Sequence, residues 1–186
     1  MLPNKNPSPY SPIPSPYLFF SIDKPKLRGD TLFMTLVELL KPELILTNAV
    51  CASKDELISS IVEKIYSVGM GPPISQDVLF QAILKREEIG GTLLPSGLSV
   101  PHARLKDFEG FILALGTTME PLFHEGTPLH LMALMISSQS GGPHYLPAVA
   151  ALTKISRDAE FLSLLSRAEN AESFIGLMKE RDQQLM

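Results

Sequence analysis

Apolar and polar positions alternate with helical spacing in the segment SKDELISSIVEKIYSVG, residues 53–69. The apolar side chains recur every three or four residues, which places them along one face of a helix. Ser53 and Glu56 have the spacing of a capping box, and Gly69 is a typical residue at a helix end. The pattern predicts an amphipathic helix that starts after Ser53 and ends near Gly69.

A second helix is predicted after a short GPP turn. Ser75 is a good N-cap residue, and Gly90 and Gly91 end the pattern. The last turn carries Arg86, a cation at the end where the helix dipole favours one. Four apolar residues of this helix are expected to face inward: Val78, Leu79, Ala82 and Ile83.

Three apolar segments have the composition of buried strands: LILTNAV (44–50), FILALGTT (111–118) and LHLMALMISS (129–138). They are far shorter than the roughly 20 residues of a membrane-spanning helix, so no membrane insertion is expected. A Gly/Ser loop is predicted at 137–143. Further helices are predicted at 35–40, 145–155, 159–168 and 171–179. Helices that interleave with apolar strands indicate an α/β layer fold.

The first 33 residues differ in composition from the rest of the chain. Seven of the sixteen prolines lie in the first thirty residues, and proline cannot donate to helix or sheet ladders. We expect a proline-rich N-terminal extension at 1–33, anchored by Tyr17, Phe19 and Phe20, and one domain at 34–186. Alternatively, Met34 is the true start. Prolines also interrupt the apolar stretch near the N-terminus, so no signal peptide is predicted.

Charge and cysteine usage exclude several classes of protein. The formal net charge is −4 with mixed signs, which offers no basic surface for nucleic acid. Cys51 is the single cysteine, so an internal disulfide is excluded, and the sequence has no zinc-type Cys/His spacing. A reducing compartment, and therefore a cytoplasmic location, is expected. His124 and His130 in HEGTPLH raise the possibility of a metal site, but without a third ligand they are interpreted as surface or strand-end residues.

The segment KREEIGGTLLPSGLSVPHARL, residues 85–105, resembles the active-site segment of the fructose/mannitol-type enzyme IIA domains of the bacterial phosphoenolpyruvate-dependent sugar phosphotransferase system, including their nitrogen-regulatory branch. In that family an Arg-Glu pair ends a helix, a threonine and a glycine-containing loop follow, and a Pro-His pair carries the phosphorylated histidine. The likeness runs from about Met34 to Lys179 and includes a second histidine in PHYL. The chain departs from the family at Pro95, where Gly or Ala is preferred, and at Ser99, where Ala is.

The resemblance implies a mixed β-sheet flanked by helices on both faces, a phosphohistidine at His102, and no metal or organic cofactor. The chemistry of the residues agrees, because imidazole is a nucleophile that is largely neutral near physiological pH. A phosphoryl group carries negative charge on three oxygens and needs fixed donors around it. The expected helpers are Arg86 and His144, with phosphate-binding residues in the loop: Thr92, Ser96 and Gly97. Arg104 is interpreted as a solvated basic residue.

The resemblance also implies partners. The phosphoryl donor is expected to be the phosphocarrier protein HPr or its nitrogen-branch counterpart, and the acceptor a IIB domain or a regulated protein. We expect neither a fused IIB domain nor a membrane segment in this chain, which favours a nitrogen-regulatory role. Sugar uptake through a separate IIB domain is the alternative. A non-catalytic interaction module on the same fold is a third possibility.

Overall fold

The computed structural model describes residues 36–184, which belong to one compact unit. The predicted extension at 1–33, Met34 and the predicted helix start at Thr35 lie outside the described residues. The helices are α1 (Leu36–Leu39), a short 3-10 helix (Pro42–Leu44), α2 (Lys54–Ser67), α3 (Gln76–Ile89), α4 (Gly142–Ile155), α5 (Ala159–Leu165) and α6 (Ala171–Gln184). The strands are β1 (Ile45–Ala49), β2 (Leu98–Ser99), β3 (His102–Leu105), β4 (Phe111–Thr118), β5 (Leu122–His124), β6 (Thr127–Leu129) and β7 (Leu131–Ser138).

The main sheet is mixed, as expected. β1 pairs with β4 in parallel, and β4 pairs with β7 in antiparallel orientation. On its other side β7 pairs in parallel with β2 and then with β3, so these two short strands follow each other along one edge. β5 and β6 form a separate hairpin whose turn residues, Glu125 and Gly126, both have positive φ.

Helices cover both faces of the sheet, which confirms the predicted architecture. Alternate residues of β7 point to opposite faces, as the two-residue repeat of a strand requires. Met132, Leu134 and Ile136 pack in the cluster that contains the buried side chains of α2 and α3. Leu131 and Met135 pack in the cluster formed by α1, α4, α5 and α6. His102 pairs with Met135 in the sheet and therefore belongs to the face covered by α4.

Both predicted helix caps are confirmed. The Ser53 hydroxyl accepts a hydrogen bond from the Glu56 N–H at 3.1 Å, and the Glu56 carboxylate accepts one from the Ala52 N–H at 2.8 Å. The Ser75 hydroxyl accepts from the N–H three residues later. The inward direction predicted for Val78 is wrong, since its side chain is 57% exposed.

The helix α4 begins earlier than predicted. Gly141 has a left-handed backbone and stands at the N-cap position, and Pro143 fits the first turn because its nitrogen needs no hydrogen bond there. The predicted loop at 137–143 is correspondingly shorter, because β7 ends at Ser138 and α4 already begins at Gly142. Within residues 36–184, no helix is both long enough and apolar enough to cross a membrane.

Candidate active site

A tight hairpin precedes His102. The Leu94 N–H donates to the Leu98 carbonyl at 2.8 Å, and the Val100 N–H donates to the Thr92 carbonyl at 3.2 Å. At its tip, the Gly97 N–H donates to the Leu94 carbonyl at 2.9 Å. Residues 92–100 therefore form a closed unit that leads the chain into β3.

Gly97 has a positive φ of 90°, a conformation that favours glycine. A side chain here would collide with the ring of His130, and its Cβ would lie 2.8 Å from the Pro128 carbonyl oxygen. The Gly97 carbonyl also accepts from the N–H groups of His130 and Leu131, at 2.8 and 3.2 Å. The glycine thus has a packing role at the start of β7, and its predicted role in phosphate binding stays a prediction. The neighbouring Ser96 Oγ is buried, with no hydrogen-bond partner in the described part of the chain.

His102 is the first residue of β3, and its side chain is half-buried. Its Nδ1 lies 3.3 Å from the carbonyl oxygen of Val100. A carbonyl oxygen only accepts hydrogen bonds, so this contact places the proton on Nδ1 and leaves a lone pair on Nε2. The ring thereby has one anchored nitrogen and one nucleophilic nitrogen.

The surroundings of His102 lower its pKa below the ordinary value for histidine. Burial is the largest cause, because it disfavours the charged ring. The hydrogen bond to Val100 opposes this effect. The positive charges of Arg86 and Arg104 lower the pKa of His102 further, and the negative charge of Glu87 raises it. The neutral, nucleophilic ring is therefore favoured near physiological pH.

Arg104 and Tyr145 adjoin His102. Arg104 is exposed as expected, but its guanidinium carbon lies 4.8 Å from the centroid of the Tyr145 ring, a cation–π contact. The same tyrosine ring stands edge-on to the His102 ring, at 6.2 Å between centroids and 62° between planes. Sequence reasoning missed this group. β3 was not predicted as a strand, and only a strand places His102 and Arg104, two residues apart, on one face.

His144 is in the first turn of α4, one residue before the predicted start of this helix. Its ring lies 6.1 Å from the ring of Phe111, with the planes tilted by 45°. Phe111 and Arg104 both pair with Ser137 of β7, so the rings above them belong to the same face of the sheet. The Nδ1 atom of His144 is buried and has no hydrogen-bond partner among the described residues. The structure places Tyr145, the next residue, against His102.

Arg86, Glu87 and Thr92 connect α3 to the hairpin. Arg86 donates from Nη1 to the Gly90 carbonyl at 3.1 Å, at the helix end that the macrodipole favours for a cation. Glu87 forms a buried ion pair with Lys54, the first residue of α2, and its Oε2 also accepts from the Thr92 N–H at 3.3 Å. The sequence did not single out Lys54, and it pointed to Glu87 only as the second residue of the Arg-Glu pair that ends the helix.

A sequence model described as phosphoenolpyruvate-dependent sugar phosphotransferase system, EIIA 2, matches residues 38–181. The chain belongs to this family. A nitrogen regulatory protein from Bradyrhizobium diazoefficiens is 23% identical over 148 residues, which cover 78% of this chain and 95% of that protein. The fructose-specific EIIABC component of the phosphotransferase system from Bacillus subtilis is 24% identical over 152 residues. That match covers 80% of this chain and only 24% of that longer relative.

Solved structures share the fold of this enzyme IIA domain. The nitrogen regulatory protein IIA-Ntr from Neisseria meningitidis aligns with a TM-score of 0.66 and 20% identity, over 77% of this chain and 98% of that one. The mannitol IIA of Escherichia coli aligns with a TM-score of 0.59 and 19% identity, over 75% and 98%. These matches agree with the mixed sheet and the two helical layers.

The structure of this enzyme IIA domain groups most of the predicted site residues, since Ser96 and Gly97 lie in the same hairpin as Thr92. His102 and Arg86 interact electrostatically, and Thr92 lies in the hairpin that ends at His102. Among residues 36–184 there is no group of three or more His, Cys, Asp or Glu side chains arranged to hold a metal ion. His124 ends β5 and His130 precedes β7.

Proposed function

We propose that this enzyme IIA domain carries a phosphoryl group on Nε2 of His102, accepted from HPr or its nitrogen-branch counterpart. The observation that supports this most directly is the contact of Nδ1 with the Val100 carbonyl. It holds the ring in one orientation and one tautomer, with the lone pair of the other nitrogen available for attack.

In the proposed reaction, the Nε2 lone pair of His102 attacks the phosphorus atom. The bond between phosphorus and the donor's histidine nitrogen breaks, and the donor ring leaves with that electron pair. The His102 ring gains positive character as the new bond forms, and the Val100 carbonyl stabilises it because it accepts from the Nδ1 proton. Arg86 and Arg104 make the potential around the ring positive, which favours the phosphoryl oxygens.

The helix α4 is the proposed source of further donors. Its first turn carries His144, and the free N–H groups at a helix N-terminus favour an anion. Thr92, Ser96 and Gly97 are the proposed loop contacts of the phosphoryl group. Of these, Ser96 has a hydroxyl without a partner in the described residues, whereas the Gly97 N–H already donates to Leu94.

We favour a nitrogen-regulatory role for this domain in the cytoplasm. A relative named as a nitrogen regulatory protein matches over almost its whole length, whereas the fructose-specific relative shares about a quarter of its length with this chain. The single cysteine supports a reducing compartment. Sugar uptake is the second candidate function. It is supported by that fructose-specific relative and by the fold of a mannitol IIA solved in complex with its phosphorylated IIB.

The test is phosphorylation of the purified protein by phosphoenolpyruvate and enzyme I, with either HPr or its nitrogen-branch counterpart. We expect one phosphoryl group on His102, located by mass spectrometry, and faster labelling by the nitrogen-branch donor. His102→Ala should lose all labelling and keep its circular dichroism spectrum, while His124→Ala is the matched control and should label normally. Labelling that persists in His102→Ala contradicts the site, and a wild-type protein that accepts no phosphate is a non-catalytic module.

A further inference from the structure

The ion pair between Lys54 and Glu87 is buried, with side chains only 4% and 9% exposed. Lysine and glutamate are almost never buried to this degree unless they are paired. Lys54 also occupies the first position of α2, where the helix dipole disfavours a cation. Burying such a pair seldom adds stability compared with apolar residues of the same volume. The pair therefore calls for an explanation other than stability.

Glu87 makes a second contact, which links α3 to the start of the hairpin. Its Oε2 accepts the backbone N–H of Thr92 at 3.3 Å, across Gly90 and Gly91. Both glycines are exposed and have open space where a side chain would be. Because glycine has great backbone freedom, this two-residue segment does not by itself hold the hairpin in one position. The carboxylate of Glu87 thus fixes where the hairpin starts relative to α3, and Lys54 fixes the carboxylate.

From Thr92 the contacts lead directly to the His102 ring. The Thr92 carbonyl accepts from the Val100 N–H at 3.2 Å, and the Val100 carbonyl accepts from the His102 Nδ1. The Thr92 hydroxyl also lies 3.3 Å from the Ser99 hydroxyl, which adds a side-chain contact between the two arms of the hairpin. A displacement of Thr92 therefore displaces the carbonyl that orients the ring.

We propose that Glu87, buried with Lys54 as its counter-ion, positions the imidazole of His102 through the Thr92–Val100 hairpin. Glu87 is the positioning residue in this proposal, Lys54 compensates its buried charge, and neither contacts the phosphoryl group. This proposal deepens the proposed function. It rests on that function only for the measurements of phosphoryl transfer. A reactive ring that is misplaced by about 1 Å can lose on the order of a hundredfold in rate.

The decisive comparison is between two double variants that both remove the buried charges. In Lys54→Met/Glu87→Gln, the glutamine oxygen can still accept the Thr92 N–H, whereas Lys54→Met/Glu87→Met has no acceptor there. We expect the methionine double variant to accept phosphate at least about tenfold more slowly than wild type, and the glutamine double variant to stay within about threefold. Glu88→Gln, an exposed neighbour on α3, is the control and should match wild type.

Nitrogen-15 NMR of the histidine ring gives a readout that needs no phosphoryl donor. In wild type and in the glutamine double variant, the His102 shifts should report a proton held on Nδ1. In the methionine double variant, the chemical shifts of the two ring nitrogens should become more similar as the tautomers mix. If the wild type accepts no phosphate, the proposed function fails, and the ring shifts still decide the positioning role.

The proposal is overturned if the folded methionine double variant keeps the wild-type rate and the wild-type ring shifts. It is also overturned if both double variants change equally, since the Thr92 contact would then be irrelevant. If the methionine variant does not fold, Glu87→Asp replaces it, because it keeps the charge and shortens the reach by one methylene group. Wild-type ring shifts in Glu87→Asp would then refute the positioning role, and mixed tautomers would support it.

Discussion

Replacing Lys54 by methionine should destabilise the protein strongly, although the two side chains have similar volumes. The substitution leaves the Glu87 carboxylate in a site that is 9% exposed, with the Thr92 N–H as its remaining contact. Breaking a buried ion pair on one side typically costs about 3–5 kcal/mol, because the other charge stays buried without compensation. With both partners nearly inaccessible to solvent, no discount for screening by water applies.

The partner substitutions should behave differently. Glu87→Met leaves the Lys54 ammonium unpaired, but its long stem can carry the charge towards water, so we expect a smaller cost of about 1–3 kcal/mol. Lys54→Met/Glu87→Met removes both charges, and its free energy of unfolding should lie within about 1 kcal/mol of the wild-type value. The two positions should therefore show a coupling energy of at least about 2 kcal/mol.

Urea unfolding followed by circular dichroism at neutral pH measures these free energies, provided that the m-value is unchanged. For a chain of this size, the cost of Lys54→Met corresponds to a fall in Tm of roughly 6–20 °C. Lys85→Met is the matched control, since Lys85 is exposed on α3 and the same substitution there should change stability by less than about 0.5 kcal/mol. If Lys54→Met costs no more than Lys85→Met, the pair is not buried, and the positioning argument loses its basis.

Two further predictions concern the transfer step. His144→Ala should accept phosphate on the order of a hundredfold more slowly, and still on His102, because one preorganised donor is lost; His144→Gln should recover part of the rate in rapid-quench measurements, and wild-type rates in both variants would make His144 a turn residue. Acceptance of phosphate should persist to lower pH than an ordinary histidine allows, because the pKa of His102 is lowered. Burial, and then Arg86 and Arg104, lower this pKa, and the charge of Glu87 opposes them. Arg86→Gln removes one of these cations, so the pKa of His102 should rise and the acid limb of the pH–rate profile should move to higher pH; an unmoved limb would exclude Arg86 from the site.

The parts of the fold that the sequence predicted correctly are those determined locally. The caps at Ser53 and Ser75 depend on hydrogen bonds within four residues, and the strands β1, β4 and β7 are recognisable from their own composition. The short strands β2, β3, β5 and β6 were not predicted, because two to four residues give too little pattern. The first two of these become strands because β7 pairs with them, which depends on residues more than thirty positions away. Val78 illustrates the converse, an apolar side chain left exposed by tertiary packing.

The candidate site was predictable in its motif and not in its supporting contacts. His102 and Arg86 carry a recognisable pattern along the chain, and the structure places them within electrostatic range of each other. Tyr145 reaches the site from α4 only because that helix packs on the face of the sheet to which the His102 side chain belongs. The pairing of Lys54 with Glu87 joins two helices, and no spacing along the sequence encodes it.

Pro101 explains why a backbone carbonyl, and not a side chain, orients the ring of His102. β3 is an edge strand, and the Pro101 carbonyl accepts from the Met135 N–H of β7 at 2.9 Å. Consecutive carbonyls of an extended chain point in opposite directions, so the Val100 carbonyl points away from β7. Proline also restricts Val100 to an extended conformation, which holds that carbonyl in place. Because the ring is oriented by main chain, a side-chain substitution can change its tautomer only by moving the backbone, and Thr92 is where α3 is attached to that backbone.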